Sequence, residues 1–295
     1  WRYSHRRDCR GCSQRRNRRC RWATDCRKRT DRANVHLCGR THDALTSNGP
    51  ITLISEPLER HLSVLRDLQP SLVERLCAPV HTDHVRFDKA GNTQIRLNDQ
   101  WEPLCLSEQV CQSILPNEPV KRLFICGLGL GELITAALNH HAAQTIVAWE
   151  RDPYLMRLTL QRTDIADALR TGRVQLALGP DLIDYMGSCD HVIAHPSLVF
   201  AYKREAELAH SHPSRDDWAL LCHGGLFVDD LADALEREGY RCLPWDIDRL
   251  SQHELAQYVS TVRPKLVAAI NYRNGLAEAC ESFGLPLICW EIDPA

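Results

Sequence analysis

The sequence lacks any run of about 18 apolar residues, so no membrane-crossing helix is expected. It has no charged start followed by an apolar stretch and a small-residue cleavage site, so no secretory leader is legible. It contains no G-x-S-x-G elbow, no G-x-x-x-x-G-K phosphate loop and no H-E-x-x-H pair. Those absences argue against a hydrolase nucleophile turn, a P-loop nucleotide site and a zinc-protease centre. Residues 1–26, WRYSHRRDCRGCSQRRNRRCRWATDC, hold almost no aliphatic side chain. Such a stretch cannot bury a core and is expected to stay disordered unless something organises it.

What the chain does have is more informative. Its 295 residues suffice for about two domains. Hydrophobic residues make up 44% and charged residues 25%, which fits a soluble globular protein. The net charge of −2 is unevenly spread: residues 1–40 carry 13 Arg and one Lys against three Asp, an excess of 11, which leaves −13 on the rest. An acidic body gives no reason to expect nucleic acid as a partner. Fourteen cysteines are present, several inside apolar runs such as those of Cys126, Cys222 and Cys289. Scattered cysteines of that kind behave as small hydrophobes, and the expected compartment is the reducing cytoplasm.

Three readings compete for the basic segment. Cys9-x2-Cys12 with Cys20 and Cys26 could close a tetrahedral thiolate site. An arginine-rich nucleic-acid tail is the second. The favoured third is that residues 1–45 are not native protein, because Arg, Cys, Trp, His and Ser enrichment is what a GC-rich gene yields in the wrong frame. A first residue of Trp leaves the true start open. Ordinary sequence begins near residue 51.

From there a small α+β module is expected over 51–119. Leu58, Leu62, Leu65 and Leu68 recur at helical spacing until Pro70 interrupts them. VRFDKAGNTQIRL reads as two short strands around Ala90-Gly91-Asn92, and Ser107 to Leu115 as a short helix. From 120 strands and helices alternate: VKRLFICG, GELITAALNHH, TIVAWE, PYLMRLTLQRTD, RVQLALG and DHVIAHP. Alternation of this kind predicts α/β architecture, with a doubly wound parallel sheet over 120–200. Residues 201–216 read as a linker. A second such unit is expected over 217–295, from WALLCHGG through KLVAAIN to LPLICWEID, with Ser251 and Glu254 forming a capping box. The fold class is thus two successive Rossmann-like sheets behind a small mixed module. The last residues follow a strand, at the edge where open α/β sheets bind ligands, so the sequence is expected to stop within a site.

Candidate functional residues cluster at strand ends. Gly127, Gly129 and Gly131 in FICGLGLGE permit a tight turn and close approach of a ligand to the backbone, and the following helix would offer free N–H groups. A dinucleotide fingerprint requires glycine at 132, where Glu132 stands. The G-x-G-x-G spacing instead resembles the first motif of class I S-adenosylmethionine methyltransferases. That resemblance assigns Glu150, at the next strand end, to ribose hydroxyls, and Asp181 to the neighbourhood of the adenine. Asp190 matches the opening of a later strand. Ile125 departs from the acidic residue often found two before the first glycine. His195-Pro196-Ser197 falls where those enzymes often touch substrate.

The second unit carries another resemblance. KLVAAINYRNGLAEACESFGLPLICWEIDPA, with Asn271 ending a strand and Trp290, Asp293 and Pro294 closing the stretch, resembles the N-terminal domain of CgeB-like bacterial glycosyltransferases of the GT-B class. HGGLFVDDLADALEREGYRC resembles their first glycine turn and helix, and GLGLGE with ERDP looks like the corresponding region of Maf-like glycosyltransferases. These resemblances imply a bacterial enzyme moving a sugar from a nucleotide sugar to a protein or surface-glycan acceptor. They also imply that this fragment, lacking the donor-side domain, is inactive alone. No metal is expected, because helix N-termini and basic side chains can stabilise a departing diphosphate. His223 is the candidate base, and Gly224, Gly225, Asn271 and Asp293 are candidate substrate contacts. The alternatives are a methyltransferase centred on 120–200, with S-adenosylmethionine as cofactor, and a non-catalytic scaffold. His210-x-His212 is better explained by a polar linker than by a metal, and His140-His141 by a helix end.

Overall fold

The computed structural model describes residues 55–97, 99–212, 217–222 and 227–292. The chain divides into two units, Trp1–Thr52 and Leu53–Ala295, and all described residues belong to the second. The readings made for residues 1–45 lie outside the described residues.

Pro57 and Pro70 each stand in a first helical turn, where a missing N–H costs nothing. They start α1 (Glu56–Leu68) and α2 (Pro70–Cys77). β1 (Val85–Phe87), β2 (Thr93–Leu97) and β3 (Gln100–Pro103) form an antiparallel sheet in that order. Ser107 accepts from the Val110 N–H and opens α3 (Glu108–Ile114). β3 had no alternating signature, and the sequence reading missed it.

The first parallel sheet comprises β4 (Val120–Cys126), β5 (Ala143–Glu150), β6 (Val174–Leu178) and β7 (His191–Ala194), in the order β6-β5-β4-β7. Its connections are α4 (Glu132–Asn139), α5 (Pro153–Arg162) followed by α6 (Ala166–Arg170), and a 3-10 segment (Gly179–Tyr185). Asp152 accepts from the Tyr154 N–H and caps α5. Leu123 to Cys126 and Ile146 to Glu150 are all buried, as central parallel strands covered on both faces must be.

The segment expected as a linker is corrected by the structure. Residues 203–210 form α7 (Lys203–His210), with Glu205, Leu208 and Ala209 buried. Its sequence, KREAELAH, is built of strong helix formers, and its polar surface hid a narrow buried stripe.

The second parallel sheet comprises β8 (Asp217–Cys222), β9 (Tyr240–Trp245), β10 (Leu266–Ile270) and β11 (Leu287–Trp290), in the order β11-β10-β8-β9. α8 (Val228–Arg237), α9 (Gln252–Val262) and α10 (Leu276–Phe283) connect them. The expected architecture of two parallel α/β units is therefore present. Numbered within each unit, the first winds 3-2-1-4 and the second 2-1-3-4. The point where the winding reverses lies between β4 and β7 in the first sheet and between β8 and β10 in the second.

One apolar cluster packs α1, α2 and α3 against the first sheet. A second spans both sheets, joining Trp149 and Tyr202 to Trp245, Leu255 and Tyr258. Arg75 crosses between them. Its guanidinium donates to Glu254 on α9 at 2.7 and 3.0 Å, to Asp181 at 2.9 Å and to the Leu178 carbonyl at 3.0 Å. Arg75 and Glu254 are buried, so removing the cation strands a carboxylate out of water. Arg75→Met is expected to lower unfolding free energy by about 3–5 kcal/mol in urea titration. A loss below about 1 kcal/mol, typical of a solvated pair, would show that the pair is not buried.

Candidate functional site

At the end of β4 the chain turns through three left-handed glycines, with φ of 80° at Gly127, 57° at Gly129 and 94° at Gly131. Local hydrogen bonds fix the turn: the Gly127 N–H donates to the Trp149 carbonyl and the Gly131 N–H to the Leu128 carbonyl, both at 2.9 Å. The backbone reading of this motif therefore holds, but the space beside it is occupied. A Cβ at Gly127 would lie 2.8 Å from Leu198. At Gly129 it would overlap the His195 ring, and at Gly131 the Thr163 methyl. All three glycines are buried.

His195 directly follows β7 and is fully buried. Its Nδ1 accepts from the Ser197 N–H at 3.3 Å, so Nε2 carries the proton and donates to the Leu104 carbonyl at 3.1 Å. Burial pushes its pKa down to about 4, against the pull of that carbonyl. His195 thus stays neutral and plugs the reversal point between β4 and β7.

Glu150, at the end of β5, is fully buried and engaged within the chain. It accepts from Leu128 N–H at 3.0 Å, Arg151 N–H at 2.8 Å, Asp152 N–H at 3.3 Å and the Tyr202 hydroxyl at 2.5 Å. Burial pushes it up to about 7, while the Leu128 and Tyr202 donors pull it down. The next residue, Arg151, donates to Glu205 on α7 and to the Ala201 carbonyl, both at 2.6 Å, and stacks 4.4 Å over the Tyr202 ring. His84 bonds Asp152 nearby. Asp181 accepts from Leu178 N–H at 3.1 Å as well as from Arg75; burial raises its pKa while Arg75 opposes the rise. The structure therefore brings the glycines, Glu150 and His195 together and supplies their partners from Tyr202, Leu198 and Thr159. Sequence reasoning missed Tyr202, Arg75 and Glu205, and it read Glu254 only as a cap: its N–H does donate to Ser251 Oγ at 3.3 Å, but its carboxylate is taken by Arg75. These side-chain pairings carry no local signal, since they span 52 to 179 residues.

At the second sheet the described rim is sparser. Asn271 follows β10 with φ of 58°. Its N–H donates to the Trp290 carbonyl at 2.9 Å, and its side-chain oxygen accepts from the Ile292 N–H at 2.8 Å. Tyr272 N–H donates to Glu291 at 2.8 Å. These bonds tie the end of β11 to that of β10. Tyr272 and Phe227 are exposed, and nothing lies within 4 Å of the Gly275 Cα substituent position that opens α10. His223, Gly224, Gly225 and Asp293 lie outside the described residues.

Among the described residues no three His, Cys, Asp or Glu side chains gather as metal ligands would, and no helix is long and apolar enough to cross a membrane. His210 sits in the last turn of α7, and His140 follows the last residue of α4.

No family model matches the sequence, and no curated protein does. Solved structures with a similar chain path include a MAf glycosyltransferase from Magnetospirillum magneticum AMB-1, at 13% identity and TM-score 0.35 over 81% of this chain. Spermidine synthase from Thermotoga maritima matches at 15% identity and TM-score 0.31 over 46%. The rRNA methyltransferase aviRa from Streptomyces viridochromogenes matches at 13% identity and TM-score 0.16 over 58%. The chain spans 57%, 53% and 61% of those structures, respectively. Likeness at this level assigns the chain no activity.

Two outcomes test the filled turn. Gly129→Ala is expected to cost about 2–4 kcal/mol, because left-handed strain adds to displacement of His195. Gly91→Ala, equally left-handed but with nothing within 4 Å, is expected to cost about 1 kcal/mol. Equal losses in thermal or urea unfolding would mean that His195 does not occupy the turn.

The second concerns pH. Glu150 titrates near 7 folded and near about 4.3 unfolded, so between those values the native state alone holds the proton. Its stabilising contribution is present below the lower value and is lost as pH rises to the upper one. His195 contributes a slope of opposite sign from about 4 to its unfolded value, so the Glu150 part is isolated by difference. The stability of wild type minus that of Glu150→Gln should fall by roughly 3 kcal/mol as pH rises across that window. A flat difference would mean that Glu150 is ionised throughout.

Proposed function

We propose that the chain is the acceptor-side region of a GT-B-type glycosyltransferase, serving transfer of a sugar from a nucleotide sugar to a protein or surface-glycan acceptor. The first sheet acts within it as a packed support, and the reversal point of the second sheet as the working rim. The observation that carries this reading is the contrast between the two sheets. The seat at β4 and β7 is filled by His195, Leu198 and Tyr202, and Glu150 is spent on Leu128 and Tyr202. A nucleoside would find neither space beside the glycines nor a free carboxylate. At the second sheet, Asn271 follows β10 while Tyr272 and Gly275 remain exposed. The resemblance of residues 218–295 to CgeB-like enzymes supports the same rim.

In this reading His223, directly after β8 in sequence, takes the proton of the acceptor hydroxyl as the sugar bond forms. A neutral imidazole suits that role near neutral pH. Gly224 and Gly225 admit the acceptor close to the backbone, and Asn271 and Asp293 are proposed sugar-hydroxyl contacts. Asn271 already spends its side-chain oxygen on Ile292, so its remaining amide donors face the ligand role. The departing diphosphate would be held by helix N-termini and basic side chains of the donor side.

Two measurements test this. Calorimetry with S-adenosylmethionine should give no binding heat up to about millimolar ligand, and submillimolar binding abolished by Gly129→Val would instead support the methyltransferase reading. In the full natural protein, transfer from a panel of nucleotide sugars should fall at least about tenfold in His223→Ala with unchanged melting. Unchanged turnover removes His223 from the mechanism, and a folded full chain that transfers from no donor overturns the glycosyltransferase reading.

A further inference from the structure

The reversal point of the second sheet is crossed by an ion pair. β9 and β10 each lie beside β8 and not beside each other. Neighbouring strands stand about 4.8 Å apart, so the ends of β9 and β10 are roughly 10 Å apart. Arg273, three residues past β10, nevertheless donates to Asp248, three residues past β9. The two side chains therefore meet across the carboxyl end of β8, where an open α/β sheet presents its crevice. Cys222, the last residue of β8, registers both charges. Burial pushes its thiol up to about 12, Arg273 acts against that rise and Asp248 adds to it.

The segment that carries Arg273 has room to move. It runs from Asn271, at φ of 58°, to Gly275, at φ of 83°, and a Cβ at Gly275 would meet nothing within 4 Å. Its first half is tied towards β11: the Asn271 N–H donates to the Trp290 carbonyl at 2.9 Å and the Tyr272 N–H to Glu291 at 2.8 Å. Arg273 draws it the other way, towards β9. The Arg273 and Asp248 side chains are 29% and 55% exposed. An ion pair this open to water favours its closed form by at most about fivefold. That is too little to hold the fold together, and it suits a contact that opens and closes while the fold stays intact.

We propose that Arg273 and Asp248 form an ionic latch that closes the crevice between β8 and β10 and opens to admit a ligand. The latch follows from the geometry. That the ligand is the sugar acceptor rests on the function proposed above.

Each side of the latch has an amide that reports on it. The Leu250 N–H donates to the Asp246 carbonyl at 3.0 Å, and the Leu276 N–H to the Arg273 carbonyl at 3.1 Å. Hydrogen exchange of the whole chain, read by peptide mass spectrometry, should speed at both amides by about two- to fivefold in Arg273→Met and in Asp248→Asn, with unchanged melting. Raising salt from about 0.05 to 1 M should do the same in wild type and add nothing in either variant. Faster exchange only in the segment that carries the substitution, or in neither segment, overturns the latch. In the full natural protein both variants should lower the KM for acceptor by the same factor and leave kcat unchanged, because closed molecules no longer subtract from the binding-competent fraction. An unchanged KM removes the gating, and a raised KM in Arg273→Met makes Arg273 a ligand contact; either overturns the proposal. A full chain that transfers from no donor overturns the glycosyltransferase reading alone, and exchange still decides the latch.

Discussion

The structure turns on one buried carboxylate. Glu150 ends a central strand, where both faces and the tip are covered, and it must find hydrogen-bond donors or lose its charge. It finds them in the glycine turn, in its own following backbone and in the Tyr202 hydroxyl. Each donor constrains a different piece of chain. The Leu128 N–H sets the path of the turn, Arg151 is left pointing at Glu205, and Tyr202 fixes the start of α7. Hydrogen bonds to a charged group are worth about 1.5–3 kcal/mol each, yet burial outweighs them and pushes the carboxyl up to about 7. The net contribution to stability is therefore modest. The geometric contribution is larger, because the two oxygens tie the glycine turn, the start of α5 and Tyr202 to one point.

That constraint explains why α7 is a packed element and not a connector. Tyr202 stands edge-on to Trp149 at 5.5 Å and lies beneath Arg151, while Glu205 holds the Arg151 guanidinium. The same region then meets the second sheet. Gly179, just past β6, accepts from the Trp149 indole at 2.8 Å, and a Cβ there would lie 2.9 Å from Tyr258 on α9. Arg75 adds the ionic tie between α2, Asp181 and Glu254. The ends of β5 and β6 are thus covered by α9, while His195, Leu198 and Tyr202 cover the end of β4. Any ligand entering there would have to displace aromatic rings and break ion pairs that leave uncompensated buried charge behind.

Much of this architecture was legible in the sequence. Alternating apolar strands and amphipathic helices marked the parallel sheets, Pro70 marked the break after the first helical run, and the glycine spacing marked a tight turn at the end of β4. α7 was not legible, because KREAELAH looks like a solvated linker until its narrow buried stripe is placed. Nor was the winding: the two units share one strand–helix rhythm yet reverse at different strands. The glycine turn shows where sequence logic stops. Positive φ at Gly129 explains why no side chain sits there, and says nothing about what fills the space. His195 fills it, and its pairing with Leu104 spans 91 residues with no local trace.

The different windings bear on where chemistry can occur. A reversal point gives a crevice only if the two strands flanking it send their following segments apart. After β4 and β7 the segments converge, and the His195 ring closes the gap. After β10 the chain takes a different course. Asn271 adopts a left-handed turn and bonds outward to Ile292 and Trp290, towards β11 and away from β8. The Asn271 side chain therefore braces the outer side of the junction and does not plug it. On the glycosyl-transfer reading this suits a working rim, because Asn271 and Tyr272, which shape it after β10, are held by bonds to the end of β11. A Glu150-like carboxylate at that junction, bonded to its own turn, would have argued the opposite. Asp246, which follows β9 on the other flank, is buried and paired with Arg249 at 3.7 Å, a local contact within the segment that leads into α9.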